Sequence, residues 1–166
     1  SATVGDITAP GIPAVVIGND DDTINGFDLN EDGDVIVNVS LPINALVGDT
    51  LTVNGLEIPV TQDMLDNGYD TAVTPPAEGE VLTVTASVTD QAGNTSPIAT
   101  ISATVGDITA PGIPAVVIGN DDDTINGFDL NDDGDVIVNV SLPINALLVD
   151  TLTVTGVEIH VTQDML

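Results

Sequence analysis

Three observations predict an all-β fold. Apolar and polar residues alternate over short stretches, as in DVIVNVSL at 34–41, the pattern of a strand whose successive side chains point to opposite faces. Apolar residues make up 42% of the chain and are mostly Val, Ile, Leu and Ala, with Phe27, Tyr69 and Phe128 the sole aromatics; the β-branched members suit a pleated, half-buried surface. Turn signals punctuate the stretches at Asn54-Gly55, Asn67-Gly68, Pro75-Pro76 with Glu78-Gly79, and Ala92-Gly93-Asn94. No helix-period segment competes, apart from a single turn over 61–65.

From the N-terminus, DITAPGIP at 6–13 reads as a linker, because two prolines bracketing Gly11 cannot continue a ladder and favour extended chain. Strands are predicted at 13–17, 34–41, 50–53, 56–61, 69–73, 81–89 and 97–105. In the second of these Val35, Val37, Val39 and Leu41 share one face. In 81–89 the apolar face is Leu82, Val84, Ala86 and Val88, opposite Val81, Thr83, Thr85, Ser87 and Thr89. Seven short strands in about 100 residues predict an immunoglobulin-like β-sandwich, here without the Cys and Trp of antibody domains.

The unit is repeated. Residues 102–166 copy 1–65 with six changes, Glu31/Asp132, Val47/Leu148, Gly48/Val149, Asn54/Thr155, Leu56/Val157 and Pro59/His160. The predicted organisation is a first sandwich over 1–104, with its core from about residue 10 and its linker at 6–13, and an incomplete second over 105–166, with its linker at 107–114. The second copy has no counterpart of 66–101, including the strongly patterned 81–89, and such a sandwich exposes an apolar face. Truncation, partial representation of a longer molecule, or strands from a neighbouring chain would each account for this. Near-identical copies make sense where function scales with the number of domains, as in a rod.

Charge restricts the partners. The chain holds 27 Asp and Glu, no Lys or Arg and one His, a formal charge of −27. Uncompensated carboxylates on a compact domain repel one another, and metal ions are the natural counter-charge. Nucleic acid and anionic membrane are excluded as partners, since phosphate binding needs basic residues. Disorder is excluded by the apolar content. Cysteine is absent, so neither disulfides nor thiolate chemistry is available. No stretch approaches the ~20 apolar residues of a membrane span, and the N-terminus lacks the basic start and apolar run of a secretory signal.

Seven of the acids fall in NDDDTINGFDLNEDGD at 19–34. Asp28, Asn30, Asp32 and Gly33 give D-x-N-x-D-G, a spacing that lets alternate oxygen side chains converge on one cation while Gly permits a sharp turn. The second copy keeps it at Asp129, Asn131, Asp133 and Gly134. The bidentate Glu that closes an EF-hand loop would fall on Val39, within a strand, so an EF-hand is excluded. Asp20, Asp21 and Asp22, with Asp121, Asp122 and Asp123 in the second copy, are the candidate donors of the missing carboxylate, and Asp34 and Asp135 complete the cluster. A solvated polar loop is the usual fate of such a charge run; without any cationic side chain to relieve it, metal binding is the expectation here. Hard oxygen donors select Ca2+ over magnesium and zinc. His160 is read as an incidental strand residue.

The D-x-T-A-P linkers, the late strand running into VTDQAGNTSP at 88–97 and the repeated acidic loops resemble the extender repeats of giant bacterial surface adhesins of the RTX type. These are exported by type I secretion, and they include biofilm-associated proteins and an ice-binding adhesin of marine bacteria. The resemblance covers the whole unit. It implies Ig-like sandwiches that bind several Ca2+ per repeat, some at interdomain junctions, stiffening an extracellular, cell-surface stalk whose adhesive contacts lie in other domains. Carried onto this chain, it implies junction ligands at Asp6 and Asp107, with Asp90 and the Asp20–22 and Asp121–123 triplets as partners. Asp90 reads equally well as a local turn residue before Gly93.

The predicted function is therefore a structural spacer, partnered by neighbouring repeats. An enzyme is not expected, because the sequence offers no Lys, Arg or Cys, a single His and no nucleophile motif. The alternative is an adhesion module contacting glycan, protein or ice directly, which predicts exposed aromatic residues in the loops.

Overall fold

The computed structural model describes residues 3–120, 122 and 124–166. It is almost entirely β, and it divides into two compact units, Ser1–Thr109 and Ala110–Leu166.

In the first unit eight strands form two sheets: β1 Ala14–Ile17, β2 Thr23–Ile24, β3 Val35–Ser40, β4 Thr50–Val53, β5 Leu56–Pro59, β6 Tyr69–Val73, β7 Val81–Thr89 and β8 Ala99–Val105. One sheet has the order β1-β3-β6 and the other β2-β8-β7-β4-β5. All pairs are antiparallel except β2 with β8, where Thr23 opposes Thr104 and Ile24 opposes Val105. The chain thus serves one sheet with β1 and crosses to the edge of the other with β2, closing a sandwich of the immunoglobulin kind.

Alternation determines the core. Val35, Val37 and Val39 of β3 are fully buried, and from the opposite sheet Leu82, Val84, Ala86 and Val88 of β7 and Leu51 and Val53 of β4 meet them in one cluster. Leu41, just beyond β3, packs against its margin. Burying each such aliphatic side chain contributes about 1.5–3 kcal/mol, which makes this face the main source of the unit's stability.

Two strand boundaries differ by two residues from the sequence reading, each for a local reason, and one strand is additional. The strand predicted at 56–61 stops at Pro59, because Thr61 instead caps a short helix, α1 Gln62–Asn67, its side chain accepting the Met64 N–H. The strand predicted at 97–105 begins at Ala99: the Ser96 Oγ accepts the Val88 N–H and donates to the Pro97 carbonyl, and proline has no N–H to extend a ladder. β2 was not predicted at all. It lies in the acidic stretch, where Ile24 is buried to 1% exposure.

The second unit has β9 Ala115–Ile118 paired with β10 Val138–Ser141, and β11 Thr151–Val154 paired with β12 Val157–His160. Its residues repeat those of the first unit, yet their burial does not. Val37 is fully buried whereas its copy Val138 is 46% exposed, and Ile17 at 5% corresponds to Ile118 at 53%. Ile24 and Ile125 differ in the same way. Among the described residues no helix is long and apolar enough to cross a membrane, which says nothing of strands.

Candidate cation-binding loops

The acidic loop of the first unit is built around Asp28. β1 ends at Ile17 and the chain turns at Gly18, whose φ of +55° is a left-handed conformation. A Cβ there would lie 2.9 Å from Asp28 Oδ1, so both the conformation and the space call for glycine. Asp28 Oδ1 then accepts the Asn19 N–H at 3.2 Å and Oδ2 the Asn25 N–H at 2.9 Å. The Asn25 side chain accepts the Phe27 N–H in return, a reciprocal cap on the 3-10 turn Gly26–Asp28.

The D-x-N-x-D-G segment closes on Asn30. Asn30 Oδ1 accepts the N–H groups of Asp32 and Asp34, both at 3.0 Å. Its backbone N–H donates to the Asp34 carbonyl, and its carbonyl accepts from Gly33 at the turn. Asp34 Oδ1 accepts the Thr74 hydroxyl at 2.7 Å, and Asp21 accepts the Thr23 N–H and the Asn19 side-chain amide. The Asn30 oxygen and Asp21 Oδ1 do what short polar side chains do in turns, satisfying nearby backbone donors.

Asp20, Asp22 and Asp32 differ. Among the described residues their carboxylates accept no hydrogen bond, and Asp20 and Asp22 hold left-handed φ values of 67° and 63°, which few non-glycine residues adopt. The second copy repeats the arrangement. Asp129 accepts the Asn120 and Asn126 N–H groups, both at 2.8 Å, Asp122 accepts the Thr124 N–H, and Asn131 accepts those of Asp133 and Asp135. Asp121 and Asp123 lie outside the described residues.

The remaining candidates stand apart from these loops in local turns. Asp6 accepts the Thr8 N–H and Asp107 the Thr109 N–H. Asp90 accepts the Ala92 and Asn94 N–H groups and the Asn94 side-chain amide; the Asn94 amide, aided by those N–H groups, holds its carboxyl below the ordinary range. Glu78 is held low in the same way, by the Thr109 hydroxyl at 2.6 Å and the Ile108 N–H. His160 is the last residue of β12, opposite Thr151.

The donor set is chemically suited to calcium, being all hard oxygen. Among the described residues no three of His, Cys, Asp or Glu are grouped closely enough to hold an ion together. Of the acids gathered by sequence, Asp28 and Asp21 are held on backbone donors and Asp34 on the Thr74 hydroxyl.

Two features escaped the sequence reading. Asp49, between the 42–48 turn and β4, is buried, and its Oδ2 accepts the Leu46 N–H at 2.8 Å; Asp150 does the same for Leu147 in the second copy. The signal available was a single acid directly before an apolar strand in both copies. Both phenylalanines, Phe27 at 100% and Phe128 at 96%, stand fully exposed beside the acidic loops. No protein-family model matches the chain, and no curated protein matches it.

Proposed function

We propose that this chain is a structural extender segment of a large bacterial surface adhesin, whose acidic loops take up Ca2+ and whose tandem sandwiches act as an extracellular spacer. The observation that carries the reading is a twice-built acidic loop in a polypeptide with 27 carboxylates and no Lys or Arg. Asp20, Asp22 and Asp32 support it as carboxylates of the first loop that accept no hydrogen bond among the described residues. An ion bound only by the folded state stabilises that state by mass action, and it relieves repulsion that no side chain can offset. Because Asp28 and Asp21 are held on separate N–H groups, their joining an ion with the free carboxylates requires local side-chain rearrangement.

The test is calcium titration by calorimetry on the whole chain, with melting measured in calcium and in excess chelator. Asp32→Asn and Asp20→Asn should weaken uptake while leaving the loop's hydrogen bonds intact. Absence of binding heat, together with an unchanged melting temperature in chelator, refutes the calcium component. Small-angle scattering of the chain with and without calcium tests the spacer component.

One observation favours a second reading, direct adhesion. Both phenylalanines are exposed at equivalent places, as a ligand-contacting loop would have them. Binding of the chain to glycans, ice or cells that is lost in Phe27→Ala with Phe128→Ala would establish it in place of the spacer.

A further inference from the structure

The chain holds four Asn-Gly pairs, Asn25-Gly26, Asn54-Gly55, Asn67-Gly68 and Asn126-Gly127. Such a pair can modify itself, because glycine has no side chain to shield its backbone nitrogen from the asparagine amide before it. Exposure ranks the pairs one way: Asn54 and Asn67 are exposed, whereas Asn25 and Asn126 are half-buried. Hydrogen bonding ranks them the other way.

Two of the asparagines are held away from the glycine that follows. Asn54 Oδ1 accepts the Thr85 N–H at 2.9 Å, which fastens the amide to the neighbouring strand β7. Asn67 Nδ2 donates to Asp63 at 2.7 Å, and the Gly68 N–H is itself taken by the Met64 carbonyl at 3.0 Å. Asn25 and Asn126 are arranged otherwise. Each amide oxygen accepts the N–H two residues on, from Phe27 and Phe128, both at 2.9 Å, and the ring that this bond closes contains the glycine nitrogen. A donor on the amide oxygen also favours the negative charge that develops there when the carbon beside it is attacked. Among the described residues the Gly26 and Gly127 N–H groups have no hydrogen-bond acceptor. In the first unit the backbone around the pair is fixed as well: the Gly106 N–H donates to the Ile24 carbonyl at 2.7 Å, and Asp28 Oδ2 accepts the Asn25 N–H. Amide and nucleophile are thus kept together before any reaction.

We propose that Asn25 and Asn126 are sites of spontaneous deamidation, at which the acidic loops modify themselves with water as the only co-reactant. The Gly26 nitrogen gives its proton to solvent and attacks Asn25 Cγ. The new N–Cγ bond closes a succinimide ring, while Nδ2 takes up a proton and leaves as ammonia. Water then opens the ring. Cleavage of the N–Cγ bond gives aspartate, and cleavage of the bond from nitrogen to the main-chain carbonyl carbon gives isoaspartate, with the backbone rerouted through Cγ. Either product adds a carboxylate to a loop that no basic side chain can offset. Isoaspartate also moves the capping oxygen into the main chain, which undoes the reciprocal cap on the Gly26–Asp28 turn. The second loop reacts in the same way at Asn126 and Gly127. The inference rests on no bound ion.

The experiment ages the full chain in a chelating buffer at neutral and mildly alkaline pH. Peptide mass mapping follows each Asn-Gly pair, and enzymatic methylation of isoaspartyl carboxyls identifies the product. Conversion at Asn25 and Asn126 should run about tenfold faster than at Asn54 and Asn67, a barrier difference of about 1.4 kcal/mol. It should quicken with pH, because the attacking nitrogen must first lose its proton. In urea, where the hydrogen bonds that set the order are gone, the four pairs should convert at similar rates. A Cβ at Gly26 would meet no atom within 4 Å, so Gly26→Ala should leave the melting temperature unchanged. The same substitution crowds the nucleophile and should slow conversion at Asn25 about tenfold or more, with Asn126 unaffected. Amide exchange at Phe27 should speed up as isoaspartate accumulates. Conversion at Asn54 or Asn67 as fast as at Asn25 in the folded chain, the same order of rates in urea, or a rate at Asn25 indifferent to Gly26→Ala would overturn the proposal. Absence of conversion at Asn25 or at Asn126 would overturn it for that loop.

Discussion

Truncating the same valine in its two settings separates what a residue is from where it lies. Val37→Ala removes two methyl groups from a fully buried site between the sheets. At ~0.8 kcal/mol per buried carbon, transfer alone costs about 1.6 kcal/mol. The cavity left in this buried cluster raises the total to about 2–3 kcal/mol. Val138→Ala makes the identical chemical change at a site nearly half exposed, and it should cost less than about 0.5 kcal/mol. For a domain of this size the first loss lowers the melting temperature by about 10 °C, and the second leaves it almost unchanged. Calorimetric melting and urea unfolding of the two full-length variants, in one buffer of fixed calcium content, read both quantities. Equal destabilisation by the two substitutions, or none by Val37→Ala, would show that the second copy's valine is covered too or that the first copy's is not, and the packing argument would fail.

Other outcomes follow from single contacts. Asp28→Ala deprives two backbone N–H groups of their acceptor and should loosen the first acidic loop by about 1–2 kcal/mol, visible as faster amide exchange at Asn19 and Asn25 in chelator as well as in calcium. Asp49→Ala removes a buried carboxylate that accepts the Leu46 N–H in a part-buried bond and should cost about 1 kcal/mol in urea unfolding; a neutral result would mean that water replaces the carboxylate as acceptor. Thr155 holds φ at 47°, a poor conformation for a β-branched residue, so Thr155→Asn should stabilise the β11–β12 hairpin by about 0.5–1 kcal/mol, measured by amide exchange across it. Glu78 and Asp90 are held below their ordinary values by hydrogen bonds to the carboxylate. Their stabilisation is therefore complete above about pH 4.5 and is lost as pH falls through their folded-state pKa values. NMR titration should show both carboxyls protonating late, with Asn94→Ala returning Asp90 towards the ordinary range.

Strand faces were legible because period-two alternation is local: Val35, Val37 and Val39 declare a common face whatever lies opposite. The interior turns were legible for the same reason, Gly and Asn marking left-handed positions. β2 was hidden because one isoleucine among acids forms no pattern, and only the neighbouring β8 makes a strand of it. The acidic loop was legible as a concentration of oxygen donors but not as an arrangement. Asn30 and Asp28 show why: short polar side chains in a turn meet backbone N–H groups nearer than any shared centre, and which donors lie nearest is set by the folded path of the chain.

By itself the sequence determined an all-β chain, an aliphatic core with alternating faces, a duplicated unit and a charge that no side chain can balance. Only the tertiary structure decided which valines are inside. Val37 and Val138 occupy the same local sequence, but burial depends on the strands packed opposite, and for Val37 those come from parts distant in the chain. Hydrophobic burial is a relation between surfaces, so a segment can specify the face it offers without specifying whether anything covers it.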